Sequence, residues 1–151
     1  MSKTHEYYMG LAIEQARLAQ AEDEVPVGAI LVQDDQVIAS AYNQPISNND
    51  PTAHAEIQAL RKAGETLNNY RLPNSTLYVT LEPCTMCLGA MIHARVERIV
   101  FGAYDQKTGV CGSCTNLTNS ACFNHSISIQ GGVLEKTCQT LLQDFFKKRR
   151  K

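Results

Sequence analysis

Two short stretches constrain this chain more than anything else in it: His54-Ala55-Glu56 and, thirty positions after His54, Pro83-Cys84-Thr85-Met86-Cys87. They offer one imidazole and two thiols, enough to hold a divalent zinc ion, so the fold has to bring both to one point. A catalytic zinc has three protein ligands and an open position for water, whereas a structural zinc is closed by a fourth side chain. Glu56 stands two residues past His54, close enough to reach that water without being a ligand. Alone, Cys-x-x-Cys also fits a thioredoxin-like redox pair or half of a structural zinc site, and His-x-Glu arises by chance. Together they describe an open zinc site with a proton shuttle, and so hydrolytic chemistry.

Both stretches read as helix starts. Asp50-Pro51-Thr52 is a turn and start signal, and the pattern predicts a helix over 53–63, stopped by Gly64. Glu82-Pro83 ends a strand and opens a second helix over 84–94. At a helix N-terminus the free N–H groups and the dipole favour thiolate over thiol at Cys84 and Cys87, and thiolate is the form that binds metal.

The remaining pattern is simple. Tyr8, Ala12, Ala16 and Ala19 at helical spacing predict a first helix over 3–21. Strands are expected at 29–32 and 37–41, joined by a tight turn at Asp34-Asp35, and again at 77–80, 98–101 and 127–129. An irregular stretch covers 103–126, and a last helix starts near 134. Strands alternating with helices give an α/β domain, its sheet covered on both faces. A chain of 151 residues is one domain, long enough to bury a real core. No apolar run approaches the ~18 residues of a membrane span, and the first residues read as leading into a polar amphipathic helix rather than an apolar signal core, so no export is expected. A cytoplasmic location with reduced thiols is expected, so the six cysteines read as ligands and spectators.

Charge is uneven. The net is −1, but Lys147, Lys148, Arg149, Arg150 and Lys151 carry +5, which leaves −6 on the rest. A basic end on an acidic body suggests a polyanionic partner, or equally a solvated tail. The 84–94 helix is apolar nearly all round, with Met86, Leu88, Ala90, Met91 and Ile92 on several faces. Such a helix must be covered on more than its sheet side, by another helix or by a second copy of the chain; its methionines suit a contact surface and make a homodimer plausible.

The segment Asp50-Pro51-Thr52-Ala53-His54-Ala55-Glu56-Ile57 with Leu81-Glu82-Pro83-Cys84-Thr85-Met86-Cys87 resembles the zinc-dependent cytidine/deoxycytidylate deaminase superfamily. Further stretches narrow the likeness to its bacterial tRNA-specific adenosine deaminases: Val25-Pro26-Val27-Gly28, Asn43-Gln44-Pro45, Gly89-Ala90-Met91-Ile92-His93 with Val100-Phe101-Gly102-Ala103, and Leu141-Leu142-Gln143-Asp144-Phe145-Phe146 leading into the basic end. The likeness spans nearly the whole chain and includes Phe123-Asn124-His125.

It implies a three-layer α/β/α cytidine-deaminase-like fold with a five-stranded mixed sheet, working as a homodimer. It implies hydrolysis of adenosine to inosine at the first anticodon position of an arginine tRNA, by zinc-activated hydroxide, with release of ammonia. The flipped-base mode of attack belongs to this family as a known example. Residue by residue, His54, Cys84 and Cys87 match the ligands of one zinc per chain, Glu56 the proton shuttle, and Asn43 the residue that hydrogen-bonds the purine. An amide has a donor and an acceptor for a purine edge; ordinary turn chemistry before Pro45 is the other reading of Asn43. Asp105 matches a position near the sugar of the flipped nucleotide, where a carboxylate could accept from a 2′-hydroxyl, or it caps a turn before Lys107-Thr108-Gly109. Phe145, Phe146, Lys147, Lys148, Arg149 and Arg150 are candidate contacts to the RNA backbone of the anticodon stem-loop.

Other features stand outside that pattern. Cys111, Cys114, Cys122 and His125 have a spacing that suits a second, structural zinc, but the family has an ordinary loop there. His93 reads as a core or interface residue, Cys138 as packed in the last helix, and His5 has no evident role. A deaminase of free guanine or of a pyrimidine nucleoside, and a non-catalytic zinc-bearing RNA-binding subunit, are the alternatives. Glu56 speaks against the second, because a structural site has no use for a carboxylate there.

Overall fold

The computed structural model describes residues 3–149. Helix α1 (His5–Ala21) is capped by Thr4, whose side chain accepts from the Tyr7 N–H at 3.1 Å. The hairpin β1 (Gly28–Gln33) and β2 (Gln36–Tyr42) turns on Asp34 and Asp35, with φ of 52° and 60°. Two left-handed residues are what a two-residue hairpin turn with the right twist requires. Then come α2 (Pro45–Asn48), α3 (Ala55–Leu67), β3 (Ser75–Leu81), α4 (Thr85–His93), β4 (Arg98–Ala103), β5 (Ser128–Gln130) and α5 (Glu135–Arg149).

The five strands form one sheet in the order β2-β1-β3-β4-β5. β1 pairs antiparallel with β2 and β3, while β3–β4 and β4–β5 are parallel, so the sheet is mixed. Alternation along the strands divides the core in two. Ala29, Leu31, Leu77, Val79, Ile99 and Phe101 face Ala55, Ala59 and Ala63 of α3 and Leu88 and Met91 of α4. Ile30, Val32, Tyr78 and Val100 point the other way, onto Met9, Ala12 and Ile13 of α1 and Cys138 of α5. These are the three expected layers. α1 lies so close to β1 that a Cβ at Gly28 would overlap the Ala12 carbonyl.

Three expectations need correction. Gly64 does not stop α3, which runs to Leu67 and ends on Asn68 at φ 51°. A mid-helix glycine costs only about 1 kcal/mol against alanine; Leu67 packs on the core and Asn68 takes the left-handed closing position. Lys147, Lys148 and Arg149 are not a loose tail but the last turn of α5. The remaining basic residues, Arg150 and Lys151, lie outside the described residues. Of the two readings of His93, core or interface, its exposure within the chain removes the first and does not bear on the second.

The face of α4 away from the sheet is only partly covered by the described residues. Cys87, Leu88, Met91 and Ile92 are buried, whereas Met86 is 36% exposed, Gly89 and Ala90 are half-buried, and His93 is open. No helix among the described residues is long and apolar enough to cross a membrane.

Candidate active site and metal centre

The site forms where α3 and α4 begin. His54 is the N-cap residue of α3, yet its imidazole caps nothing and turns to the cysteines instead. Cys84 is the N-cap residue of α4 and Cys87 lies in its first turn. A nitrogen about 2.0–2.1 Å and a sulfur about 2.3 Å from a tetrahedral zinc stand roughly 3.6 Å apart. His54 Nδ1 lies 3.7 Å from Cys84 Sγ and 3.4 Å from Cys87 Sγ. The spacing and the donor set therefore fit zinc. Among the described residues this is the only such cluster of three or more His, Cys, Asp or Glu ligand atoms, all within 4.8 Å of one another.

The cluster polarises itself. The hydrogen bond from the Cys87 thiol, against the pull of burial and helped by His54, draws the Cys84 thiol down to about 4. Cys87 moves the opposite way, because it donates to Cys84 and is buried. A metal takes both sulfurs as thiolates. The hydrogen bond to Cys84 raises the His54 imidazole, opposed by burial. Glu56, in the first turn of α3, is 4% exposed, and burial pushes its carboxyl above the usual range.

His54, Glu56 and Cys84 line a cleft of about 1020 Å³, with Cys87 buried behind them. Asn43, 8% exposed, stands in its wall beside His54 and Glu56, and its backbone N–H donates to the Val27 carbonyl at 3.0 Å. The mouth is formed by exposed side chains: Tyr104 and Phe146, each 44% exposed, with Lys107 and Lys147.

Asp105 also lines the cleft, but its carboxylate is already engaged. Oδ1 accepts from the N–H groups of Lys107 and Thr108, both at 3.1 Å, and Oδ2 from the Thr108 hydroxyl at 2.7 Å. It caps the turn. Of the residues assigned to the RNA backbone, Phe146 and Lys147 reach the cleft and Lys148 is exposed. Phe145 is buried, with its ring 5.4 Å from that of Phe146. Arg149 lies 4.9 Å over the Phe145 ring and donates to the Asp23 carbonyl at 2.7 Å, which ties the end of α5 to the body. The structure does not gather the loop ligands: Cys111 is buried, Cys114 and Cys122 are exposed, and His125 Nε2 lies 2.9 Å from the Val96 carbonyl.

Two buried carboxylates, Glu24 and Glu82, are given no side-chain role in the sequence reading. Glu24, 1% exposed, accepts from the Ile46 N–H (3.2 Å), the Ser47 N–H (2.6 Å) and the Ser47 hydroxyl (2.7 Å). It thereby pins α2, the helical turn two residues past Asn43. Glu82, 2% exposed, stands in the cleft wall. The signal available for both is an acid embedded beside apolar stretches, because Glu is almost never fully buried unless paired.

Comparison with known proteins agrees with this geometry. Residues 2–103 match the cytidine and deoxycytidylate deaminase zinc-binding region. A tRNA-specific adenosine deaminase of Haemophilus influenzae is 50% identical over 150 residues, which is 99% of this chain and 87% of that protein. A structure solved in a study of A-to-I editing by tRNA:A34 deaminases at the wobble position superposes with a TM-score of 0.88 at 43% identity, covering 90% of this chain and 99% of that one. A guanine deaminase from Nitrosomonas europaea reaches a TM-score of 0.83 at 26% identity, over 96% of this chain and 85% of that one.

Proposed function

The chain belongs to the cytidine and deoxycytidylate deaminase zinc-binding family, and from that premise we infer the reaction: it is a zinc-dependent hydrolase that converts adenosine to inosine in transfer RNA, at the wobble position. The full-length likeness to tRNA-specific adenosine deaminases supports this substrate. The observation that carries the chemistry is a three-ligand His54/Cys84/Cys87 cluster, with His54, Cys84 and the buried Glu56 lining one cleft. An arginine tRNA is our reading of the particular substrate, and the 151 residues act as one deaminase domain.

His54 through Nδ1, with Cys84 and Cys87 through Sγ, would hold the zinc. When bound there, zinc supplies Lewis acidity that lowers the pKa of a coordinated water from about 15.7 to about 7. Glu56 is placed to take the proton released from water, deliver it to the purine ring nitrogen, and help protonate the departing amine. One carboxylate serves because these transfers are sequential. The balance is one water consumed and one ammonia released, with a carbon–oxygen bond formed where the carbon–nitrogen bond breaks. Asn43 orients the purine with its donor and acceptor, and the pinned turn at α2 keeps it in place. The deciding experiment incubates the protein with unmodified bulk tRNA and maps inosine by reverse transcription. Inosine at the first anticodon position is the expected result; conversion of free guanine with none in tRNA would return the free-base reading.

The mouth of the cleft favours a polymer. Lys147 and Lys148 stand on a fixed helical turn, so we assign them to RNA phosphates. Changing both to alanine should lower the slope of log affinity against log salt by about 1.4, at about 0.7 per single-strand phosphate. An unchanged slope would make them merely solvated. Asp105, although it caps its turn, lies in the cleft, and we retain it as a reader of the 2′-hydroxyl. Asp105→Asn keeps one acceptor oxygen for the turn and loses the charge; its kcat/KM ratio between RNA and DNA stem-loops should fall. An equal ratio in both proteins would leave only the capping role.

The open face of α4, with Met86, Gly89, Ala90 and His93, supports a homodimer, to be read as a solution mass near twice 16.7 kDa. Thiolate ligands need a reducing compartment, which supports a cytoplasmic location.

A further inference from the structure

We propose that Glu82 is a positioning residue that clamps the segment 105–113 as one wall of the cleft and so sets how tightly the nucleotide is held. The proposal rests on the deaminase reading. Glu82 follows directly on β3, 2% exposed, and two residues before the ligand Cys84. Its Oε1 accepts from the Asp105 N–H at 3.0 Å and from the Ser113 hydroxyl; its Oε2 accepts from the Cys111 N–H at 2.9 Å and the Ser113 N–H at 3.1 Å. A carboxylate has about four lone-pair sites. All four are taken, so Glu82 has none for a substrate and acts only through the groups it holds.

The segment needs such a clamp. It is irregular, with a single isolated bridge between Cys111 and Asn116, and buried N–H groups outside a ladder must find an acceptor elsewhere. Glu82 supplies an acceptor for three N–H groups of the segment, that of the buried Cys111 and those of the half-buried Asp105 and Ser113. The fit is close, since a Cβ at Gly109 would overlap the Glu82 carboxyl carbon, and the Val110 N–H donates to the Pro83 carbonyl at 3.0 Å. Residues 105–108 lie along the cleft, while 82–84 lead into the metal ligands. One carboxylate therefore fixes the distance between the cleft wall and the reacting centre.

Glu82→Gln keeps the shape but turns an NH₂ group toward N–H donors. Measured on the zinc-loaded protein, amide exchange at Asp105, Cys111 and Ser113 should speed up about tenfold or more, with zinc still at one per chain. KM for a tRNA anticodon stem-loop should rise about tenfold or more with kcat within about threefold, the pattern of binding lost equally from ground and transition states. Gly109→Ala, which pushes on the same contact, should give the same split, and Ser113→Ala a smaller one should Glu82→Gln not fold. Unchanged exchange, loss of zinc, or a fall confined to kcat would each overturn the proposal. The exchange measurement needs no substrate, so failure of the tRNA reading would show separately, as a wild-type protein inert on RNA.

Discussion

Glu56→Ala should keep one zinc per chain and lose about 10²–10⁴-fold in kcat, the usual contribution of a positioned general acid–base. Both halves follow from the geometry. The carboxylate lies in the first turn of α3, one residue past its start, while the ligand atoms that cluster are those of His54, Cys84 and Cys87. Removing Glu56 therefore leaves the cluster's three donors untouched and removes the group proposed to cycle the proton. Glu56→Gln keeps the volume and a hydrogen-bonding oxygen but cannot accept a proton as carboxylate does, and should be equally slow. Metal content by atomic emission and single-turnover inosine formation give the two readings. A variant that loses its zinc would make Glu56 a ligand and overturn the mechanism.

Cys87→Ser should lose the zinc, and with it both activity and stability. Cys87 is 0% exposed and lies 3.4 Å from His54 Nδ1, so it is a wall of the core as well as a donor. A ligand that binds only the folded state stabilises it by about 4 kcal/mol when present at a thousand times its Kd. In a chain of this size that corresponds to roughly 8–16 °C in Tm. Chelation of the wild-type protein should produce the same drop, reversed by added zinc, whereas the Cys87→Ser protein should not respond to either. Equal melting of zinc-loaded and chelated wild type would mean that the metal contributes nothing to the fold.

The ligand set is legible in the sequence because the chemistry demands particular atoms: an imidazole, two thiols and a carboxylate that is not a ligand have few substitutes. The strands are legible because their alternation of faces is itself what the two core layers require, as Leu31 beside Ile30 and Val79 beside Tyr78 show. Gly64 misleads because a local breaker is weighed against burial that only the folded chain reveals. The turn at α2 is not legible at all, since four residues have no periodicity and its support, Glu24, comes from twenty-two positions away. Glu82 is hidden in the same way: its partners lie twenty-three to thirty-one residues further on, in a segment whose composition says only that it is irregular. Asp105 shows the reverse case: the turn signal in the sequence is what the structure displays, and the substrate role is a proposal that rests on its place in the cleft.

The sheet order has a consequence for when the protein becomes active. β3 is inserted between β1, which precedes His54 in the chain, and β4, which follows the cysteines. Asn43, His54 and Glu56 lie on the N-terminal side of β3, and Cys84, Cys87 and the wall that follows them on the C-terminal side. Neither side alone holds a complete reaction centre. A nascent chain emerging from the ribosome, with its N-terminal portion already structured, cannot yet edit anything. The donor set is complete only once the segment that follows β3 is made and brought against the one that precedes it, so a partly synthesised chain holds His54 without the two thiols.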